Sequence, residues 1–206
     1  MKKNVCTFFL AAATVFFSAR LSAQDNPVSI GFKAGTSVSN YRLSGNLKGL
    51  KSKMGVGGSV GGFIKYDINQ NFALQSGLDI YYRTSKLETI ADNTSNKIKS
   101  LGVEMPLYGV VQGAVGSGKA FIGAGPYVGY GIITKANGVS LFKNNNIADN
   151  PVMKRLDYGV GGIIGYDFGR YWQVNATYQF GLADLHKPKS GAMKNQGASI
   201  GLAYKF

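Results

Sequence analysis

Trp172-Gln173-Val174-Asn175-Ala176-Thr177-Tyr178-Gln179-Phe180 is the stretch that decides the fold. Apolar or aromatic residues occupy every second position and polar ones the positions between, a period of two that makes a strand with two unlike faces. The face carrying Gln173, Asn175, Thr177 and Gln179 is too polar for a dry core. The face carrying Trp172, Val174, Tyr178 and Phe180 is suited to an apolar surrounding, so this strand reads as one that stands between lipid and a polar interior.

Working outward, the same alternation recurs along the chain. Val28, Ile30, Phe32, Ala34 and Val38 alternate with Ser29, Gly31, Lys33, Gly35, Ser37 and Ser39. Val56 to Asp67 and Phe72 to Arg83 repeat it, and Ile98 to Val111 and Ala120 to Thr134 do so more weakly, each with a proline inside (Pro106, Pro126). Arg155 to Asp167 and Ala198 to Phe206 complete eight segments. Three connections, Asp67 to Asn71, Gln112 to Lys119 and Asp167 to Arg170, are short and rich in Gly, Asn and Asp. Asn40 to Lys53, Thr84 to Lys97, Lys135 to Val152 and Asp184 to Gln196 are long and polar, and read as loops. Short connections at one end and long ones at the other mark an up-and-down antiparallel sheet whose ends face different compartments.

Residues 1–23 read as a secretory signal peptide. Lys2 and Lys3 precede an apolar run too short to span a bilayer as a helix, and Ala23 offers a small residue for cleavage. The one cysteine, Cys6, goes with it, which excludes disulfides and thiolate chemistry from residues 24–206. Of 206 residues 29 are Gly and only 5 Pro, and the formal charge is +13. Losing Lys2, Lys3 and Arg20 with the leader still leaves a strongly basic exported chain, which should meet something anionic outside the inner membrane.

A sheet with a lipid face must close on itself, because an unpaired backbone group in hydrocarbon costs several kcal/mol. The expectation is therefore an all-β, eight-stranded, up-and-down antiparallel transmembrane barrel over residues 24–206, with Tyr66, Phe72, Tyr82, Tyr166, Trp172 and Phe206 as interfacial aromatics. Eight strands leave an interior just wide enough for side chains. Lys33, Lys65, Asp67, Asp79, Arg83, Glu104, Arg155 and Asp157 are expected to point inward and pair, with Gln173, Asn175 and Gln179, so that the lumen is plugged. Pro106 and Pro126, lacking a donor in an edgeless sheet, are expected at bulges or near rims.

Four stretches, taken in order, resemble the outer-membrane β-barrel family common in Bacteroidetes, often labelled porin family or PorT-like. They are Val103-Glu104-Met105-Pro106-Leu107, Gly123 to Tyr130, Asp157-Tyr158-Gly159 with Gly161 to Gly165, and Ala176 to Leu182. The terminal Tyr204-Lys205-Phe206 is similar to the C-terminal aromatic signal read by barrel-assembly machinery. The resemblance implies an integral eight-stranded outer-membrane barrel and brings no catalytic residues. PorT itself is linked to type IX secretion, a role that does not carry over to every family member.

Candidate chemistry is sparse. His186, the only histidine, has Asp184 and Ser190 nearby, which would permit an activated nucleophile, but the reading adopted is a solvated loop histidine. No cofactor or metal is expected, and Gly116-Ser117-Gly118-Lys119 reads as a turn rather than a phosphate loop. The stronger clue is charge: Arg42, Lys48, Lys51 and Lys53 make a basic outer loop without an acid. The partners expected are outer-membrane lipid and lipopolysaccharide, the barrel-assembly machinery during biogenesis, and possible protein partners in the envelope; nucleic acid is not expected. The function expected is non-enzymatic: a structural, adhesive or envelope-associated outer-membrane barrel. The alternatives are an accessory subunit of a secretion or uptake machine, then a small pore or a lipid-modifying barrel enzyme.

Overall fold

Val28–Gly45 (β1) is the first of eight long or medium strands in which alternate side chains turn inward, and a computed structural model gives their arrangement. It describes residues 27–89, 95–142, 153–187 and 191–206; the signal-peptide stretch lies outside them. The others are Leu50–Asp67 (β2), Phe72–Thr89 (β3), Ser95–Val115 (β4), Gly118–Ala136 (β5), Leu156–Phe168 (β7), Trp172–Gly181 (β8) and Gly191–Lys205 (β9). Val139–Ser140 (β6) is a two-residue strand paired only with the end of β5, which it meets through the Asn137-Gly138 turn. Both turn residues have positive φ, 47° and 89°, as a tight hairpin of this kind demands.

Each long strand pairs antiparallel with its neighbours, and β9 pairs with β1, so the sheet closes with no free edge. One line of partners can be followed around it: Val28, Tyr66, Leu74, Gly109, Ala124, Gly162, Tyr178, Ala198 and back to β1 at Val38. The return is displaced by ten residues from the start. For eight strands that stagger fixes a tilt of about 40°. The inner rim is laced by backbone bonds: Asp67 N–H donates to Pro27 O (2.6 Å), Gln112 N–H to Asn71 O (2.8 Å), Lys205 N–H to Tyr171 O (2.6 Å) and Phe206 N–H to Ile30 O (2.9 Å).

Two expectations are corrected here. Strand extends well into three of the long polar connections, while 143–152 of the fourth lie outside the described residues: β1 runs to Gly45 and β2 begins at Leu50, with only the 3-10 turn Asn46–Gly49 between them. β3 likewise continues to Thr89, and β9 starts at Gly191. Eighteen residues at ~3.3 Å and ~40° tilt rise about 45 Å, against an apolar band of about 25 Å, so the wall stands well clear of the lipid. The prolines, for their part, sit in mid-strand. The β3–β4 ladder lapses between Ser76↔Leu107 and Asp79↔Glu104, and the β4–β5 ladder between Pro106↔Tyr127 and Gly109↔Ala124, with the same register on both sides of each gap. Ser76 Oγ donates to Pro106 O at 2.7 Å across the first gap. The register shifts fall elsewhere, at Met54/Gly58 and Leu101/Gly102.

Outward positions carry the exposed apolar residues, among them Phe32, Val60, Leu78, Ile122, Val160 and Ile200. Threonine hydroxyls on that face return to the backbone, Thr36 Oγ1 to Gly57 O at 3.2 Å and Thr84 Oγ1 to Val56 O at 2.7 Å, as small polar groups shielded from water do. At the inner rim Phe32 meets Phe206 edge-on with centroids 5.5 Å apart, and Trp172 meets Tyr204 at 5.1 Å. These aromatics form a girdle where the wall leaves the membrane.

Candidate functional site

The lumen is where the inward half of every strand converges. On β1, β2, β3, β5, β7, β8 and β9 most inward residues of the membrane-spanning part are odd-numbered; on β4 they are even-numbered. Nearest the short turns, Lys65 Nζ lies 2.8 Å from Asp167 Oδ2, Lys205 Nζ lies 3.2 Å from Asp167 Oδ1, and Gln173 Nε2 donates to Asp167 Oδ1 at 2.9 Å. Lys65 is almost fully enclosed and also faces the Phe121 ring at 5.0 Å. Asp67, at the rim, accepts from Gln112 Nε2 at 2.9 Å.

Farther out, Lys33 Nζ reaches Asp79 Oδ2 at 2.8 Å from two strands away. It passes over Gly61, where a Cβ would run into Asp79 Oδ1 and Leu78 O, so the pair depends on glycine there. Arg83 then bridges Glu104 Oε2 at 2.8 Å and Gln179 Oε1 at 2.9 Å, while Gln179 Nε2 donates to Glu104 Oε1. Arg83 also stacks over Tyr81 at 4.1 Å. Asp157 accepts from Asn195 Nδ2 at 3.2 Å and from Tyr127 Oη at 3.4 Å. A cavity of about 70 Å³ lies among Lys33, Asp79, Arg83, Glu104 and Asn175, a space that a few waters would fill.

Arg155 is a correction. It precedes the first residue of β7 and is exposed; its Nη1 donates to Gly131 O at 3.1 Å and Ile132 O at 2.8 Å, and its guanidinium covers Phe142 at 4.4 Å. It lines a small cavity with Tyr81, Arg83 and Asp157 at the outer end of the lumen, so what fails is the expected ion pair: among the described residues it meets backbone carbonyls and an aromatic ring in place of an acid. Asp167 and Lys205 hold the lumen charge that the sequence reading left out. Asp167 carried a signal, since it faces away from Tyr166 in the alternation, whereas Lys205 is hidden between two terminal aromatics.

The interior is not uniformly polar either. Ala73, Tyr108, Val110, Phe121 and Ile163 make one buried apolar cluster against the β3–β4–β5–β7 wall. Met153, Ala183, Leu185 and Met193 make another, packed by Tyr41, Leu43, Leu47, Leu141 and Phe142, inside the part of the wall above the lipid. His186 is buried beside this second cluster rather than solvated. It forms an isolated bridge with Met153, while Asp184 Oδ1 accepts the backbone N–H groups of His186 (3.0 Å) and Met193 (2.9 Å). The nearby carboxylate thus holds a turn; Ser190 lies outside the described residues. Among the described residues no group of three or more His, Cys, Asp and Glu side chains is placed to hold a metal. Gly116-Ser117 is the turn between β4 and β5, with Gly116 at φ 59°.

Of the basic outer-loop residues, Arg42 belongs to β1 and donates to Gly181 O at 2.6 Å while covering the Phe180 ring at 3.5 Å. Lys51 and Lys53 are exposed on β2, Lys53 at 2.7 Å from Glu88, and Lys48 lies in the 3-10 turn.

A closed antiparallel ring with an apolar exterior, aromatic girdle and filled interior defines an integral outer-membrane barrel. Residues 22–187 match the family model described as outer membrane protein beta-barrel domain, and the chain belongs to that family. Among solved structures it is similar to the outer membrane protein OprG from Pseudomonas aeruginosa, with 16% identity, 87% of this chain and 94% of that chain covered, and a TM-score of 0.51. It is also similar to Ail, the attachment invasion locus protein of Yersinia pestis (13% identity, 87% and 99% covered, TM-score 0.44). Neisserial surface protein A is a third (17% identity, 85% and 97% covered, TM-score 0.43). No curated protein sequence matches the chain significantly. The protein is located in the outer membrane.

Proposed function

We propose that this is a closed envelope barrel without enzymatic activity, whose structural or adhesive work is done by its outer surface. The observation that carries the reading is the stacked interior. The Lys65–Asp167–Lys205 group, the Lys33–Asp79 pair, the Arg83–Glu104–Gln179 group and the outer apolar cluster succeed one another along the lumen. A solute path through the barrel would have to break several buried charge pairs, each expensive to open. The test is planar-bilayer recording of protein whose folding is verified by heat-dependent gel mobility. Silence for the wild type, with steps appearing in Lys33→Ala/Arg83→Ala/Glu104→Ala, is the expected result; regular steps from the wild type overturn the closed-barrel reading.

The resemblance to PorT-like barrels of Bacteroidetes supports a second reading, an accessory subunit of a secretion or uptake machine. The tall wall above the lipid gives such a partner a surface to hold. Photo-crosslinking from Lys51 and Lys97 in native membranes tests it: one reproducible protein partner, and an export defect on deletion, would favour it over a stand-alone barrel.

A further inference from the structure

Where β2, β3, β4 and β5 leave the apolar band, their outward faces carry lysines in direct cross-strand register. Lys53 stands opposite Lys86, Lys86 opposite Lys97, and Lys99 opposite Lys135. All five are exposed. Residues facing each other across an antiparallel pair have Cβ atoms only about 5 Å apart, and like charges placed so are destabilising. A wall selected only for solubility would alternate the signs. Three successive pairs instead repeat the same sign, and among the described residues the one ion pair in this patch is Lys53 with Glu88, at 2.7 Å. On the β1–β9 side the outward pairs near this level are neutral Asn40–Gln196, joined by Gln196 Nε2 donating to Asn40 Oδ1 at 2.8 Å, and Arg42–Lys194. The latter is of like charge, but the Arg42 guanidinium is already held by Gly181 O at 2.6 Å and by the Phe180 ring; the exposed lysine pairs are those of β2 to β5.

We propose that this lysine ladder is a binding site for the phosphorylated headgroup of an outer-leaflet glycolipid. A phosphate between two facing ammonium groups converts each repulsive pair into two attractive ones. Two features fix the source of the phosphate as lipid rather than free anion. Lys99 and Lys135 take the first outward positions beyond Leu101 and Ile133, where the apolar face ends, and this is the depth of headgroups. Below them the same strands offer Leu78, Ile80, Val103, Met105, Val128 and Ile132, an apolar wall for the acyl chains of the same molecule. The Lys86 row stands one step higher, so two phosphates on one headgroup can be met at two levels.

This inference rests on the reading of the barrel as a body that works from its outer surface. Its test is independent of conductance. Folded protein in detergent micelles is titrated with a diphosphorylated lipid A, with the same glycolipid after removal of both phosphates, and with inorganic phosphate as competitor, bound lipid being counted by native mass spectrometry. The variants are Lys86→Gln/Lys97→Gln and Lys99→Gln/Lys135→Gln, with Lys119→Gln/Arg170→Gln at the opposite rim as control. The expected result is binding at least tenfold weaker in each of the first two variants, unchanged in the control, and equally weak for the dephosphorylated lipid. Equal binding by wild type and lysine variants overturns the site. Displacement by inorganic phosphate at the lipid's own concentration overturns the lipid assignment. Lys86→Glu is a further check that does not depend on loss of fold: it restores alternating charge, so it should hold or raise stability while still abolishing binding. A wild type that conducts would sink the closed-barrel reading and leave this titration intact.

Discussion

Replacing Asp167 by Asn should cost far more than replacing the lysine that faces it. Asp167 Oδ2 is 2.8 Å from Lys65 and Oδ1 is 3.2 Å from Lys205, so the substitution strands two cations at once. Lys65, enclosed within the wall against Phe121, has no route to water. Breaking a buried pair by removing one partner typically costs 3–5 kcal/mol. Lys205 keeps slight exposure at the rim and can extend toward solvent, adding little. About 4 kcal/mol is therefore expected for Asp167→Asn. Lys65→Met leaves Asp167 with Lys205 and with Gln173 at 2.9 Å, so it should cost only about 1–2 kcal/mol.

The double variant removes the buried charge together with its partner, which is commonly close to neutral. With Lys205 still left without its carboxylate it should lose about 2 kcal/mol, a coupling of about 3–4 kcal/mol between the two positions. The chain has a single tryptophan, Trp172, on the outer face near this group, so urea unfolding in lipid vesicles can be followed by its fluorescence. With an m-value of about 2 kcal/mol/M, Asp167→Asn should move the midpoint down by roughly 2 M and Lys65→Met by less than 1 M. Equal shifts for the two single variants, or additive shifts in the double, would refute the shared-carboxylate arrangement.

Trp172 itself should be quenched by lipids labelled near the headgroup more strongly than by those labelled at the chain end, and barely by aqueous acrylamide; strong acrylamide quenching would remove it from the inner girdle. Gly61→Val should destabilise by about 2 kcal/mol or more, since the new side chain displaces the Lys33–Asp79 pair. Gly49→Ala, where a Cβ meets nothing within 4 Å, is its control and should leave the unfolding midpoint unmoved. Leu185→Ala should cost about 2–4 kcal/mol locally by opening the outer apolar cluster. Hydrogen exchange should then accelerate at Tyr41 to Gly45 and Gly191 to Asn195 and stay slow at Ile30 to Val38; uniform acceleration would show that the two levels unfold as one.

The strands within the lipid were legible because the membrane imposes a contrast. At Trp172 to Phe180 one face meets hydrocarbon and the other a polar lumen, so the period of two is written in hydropathy. Above the lipid that contrast disappears while the ladder continues. Lys51, Lys53, Lys86 and Lys97 face water from strands whose inner faces hold Ser52, Ser85 and Asn96 or lie near them, and a polar residue beside another polar residue reads as loop. Candidate lumen charges could be picked from parity, but not their partners. Lys65 and Asp167 are 102 positions apart, and only the ten-residue stagger brings them to one level. The prolines were misplaced for a related reason. Parity and closure demand a donor at each position, but they do not show that a neighbour such as Ser76 can supply the hydrogen bond that a gap in the ladder leaves open.

The two levels of the wall are held by opposite means. Within the lipid the exterior is the apolar side, and the interior can carry Lys65, Asp167, Arg83 and Glu104 because the sheet around them has no edge at which to come apart. Above the lipid, water on the outside gives no such confinement, and a ring of strands there needs an apolar interior of its own. Leu185, Met193, Met153 and their neighbours supply it. The same inversion explains why the sequence places lysines outward only where the wall has left the membrane: below that level they would face hydrocarbon, and above it they face the layer where lipid phosphates lie. The register that sets like charge against like charge falls just beyond the apolar band, where the proposed phosphate would meet it.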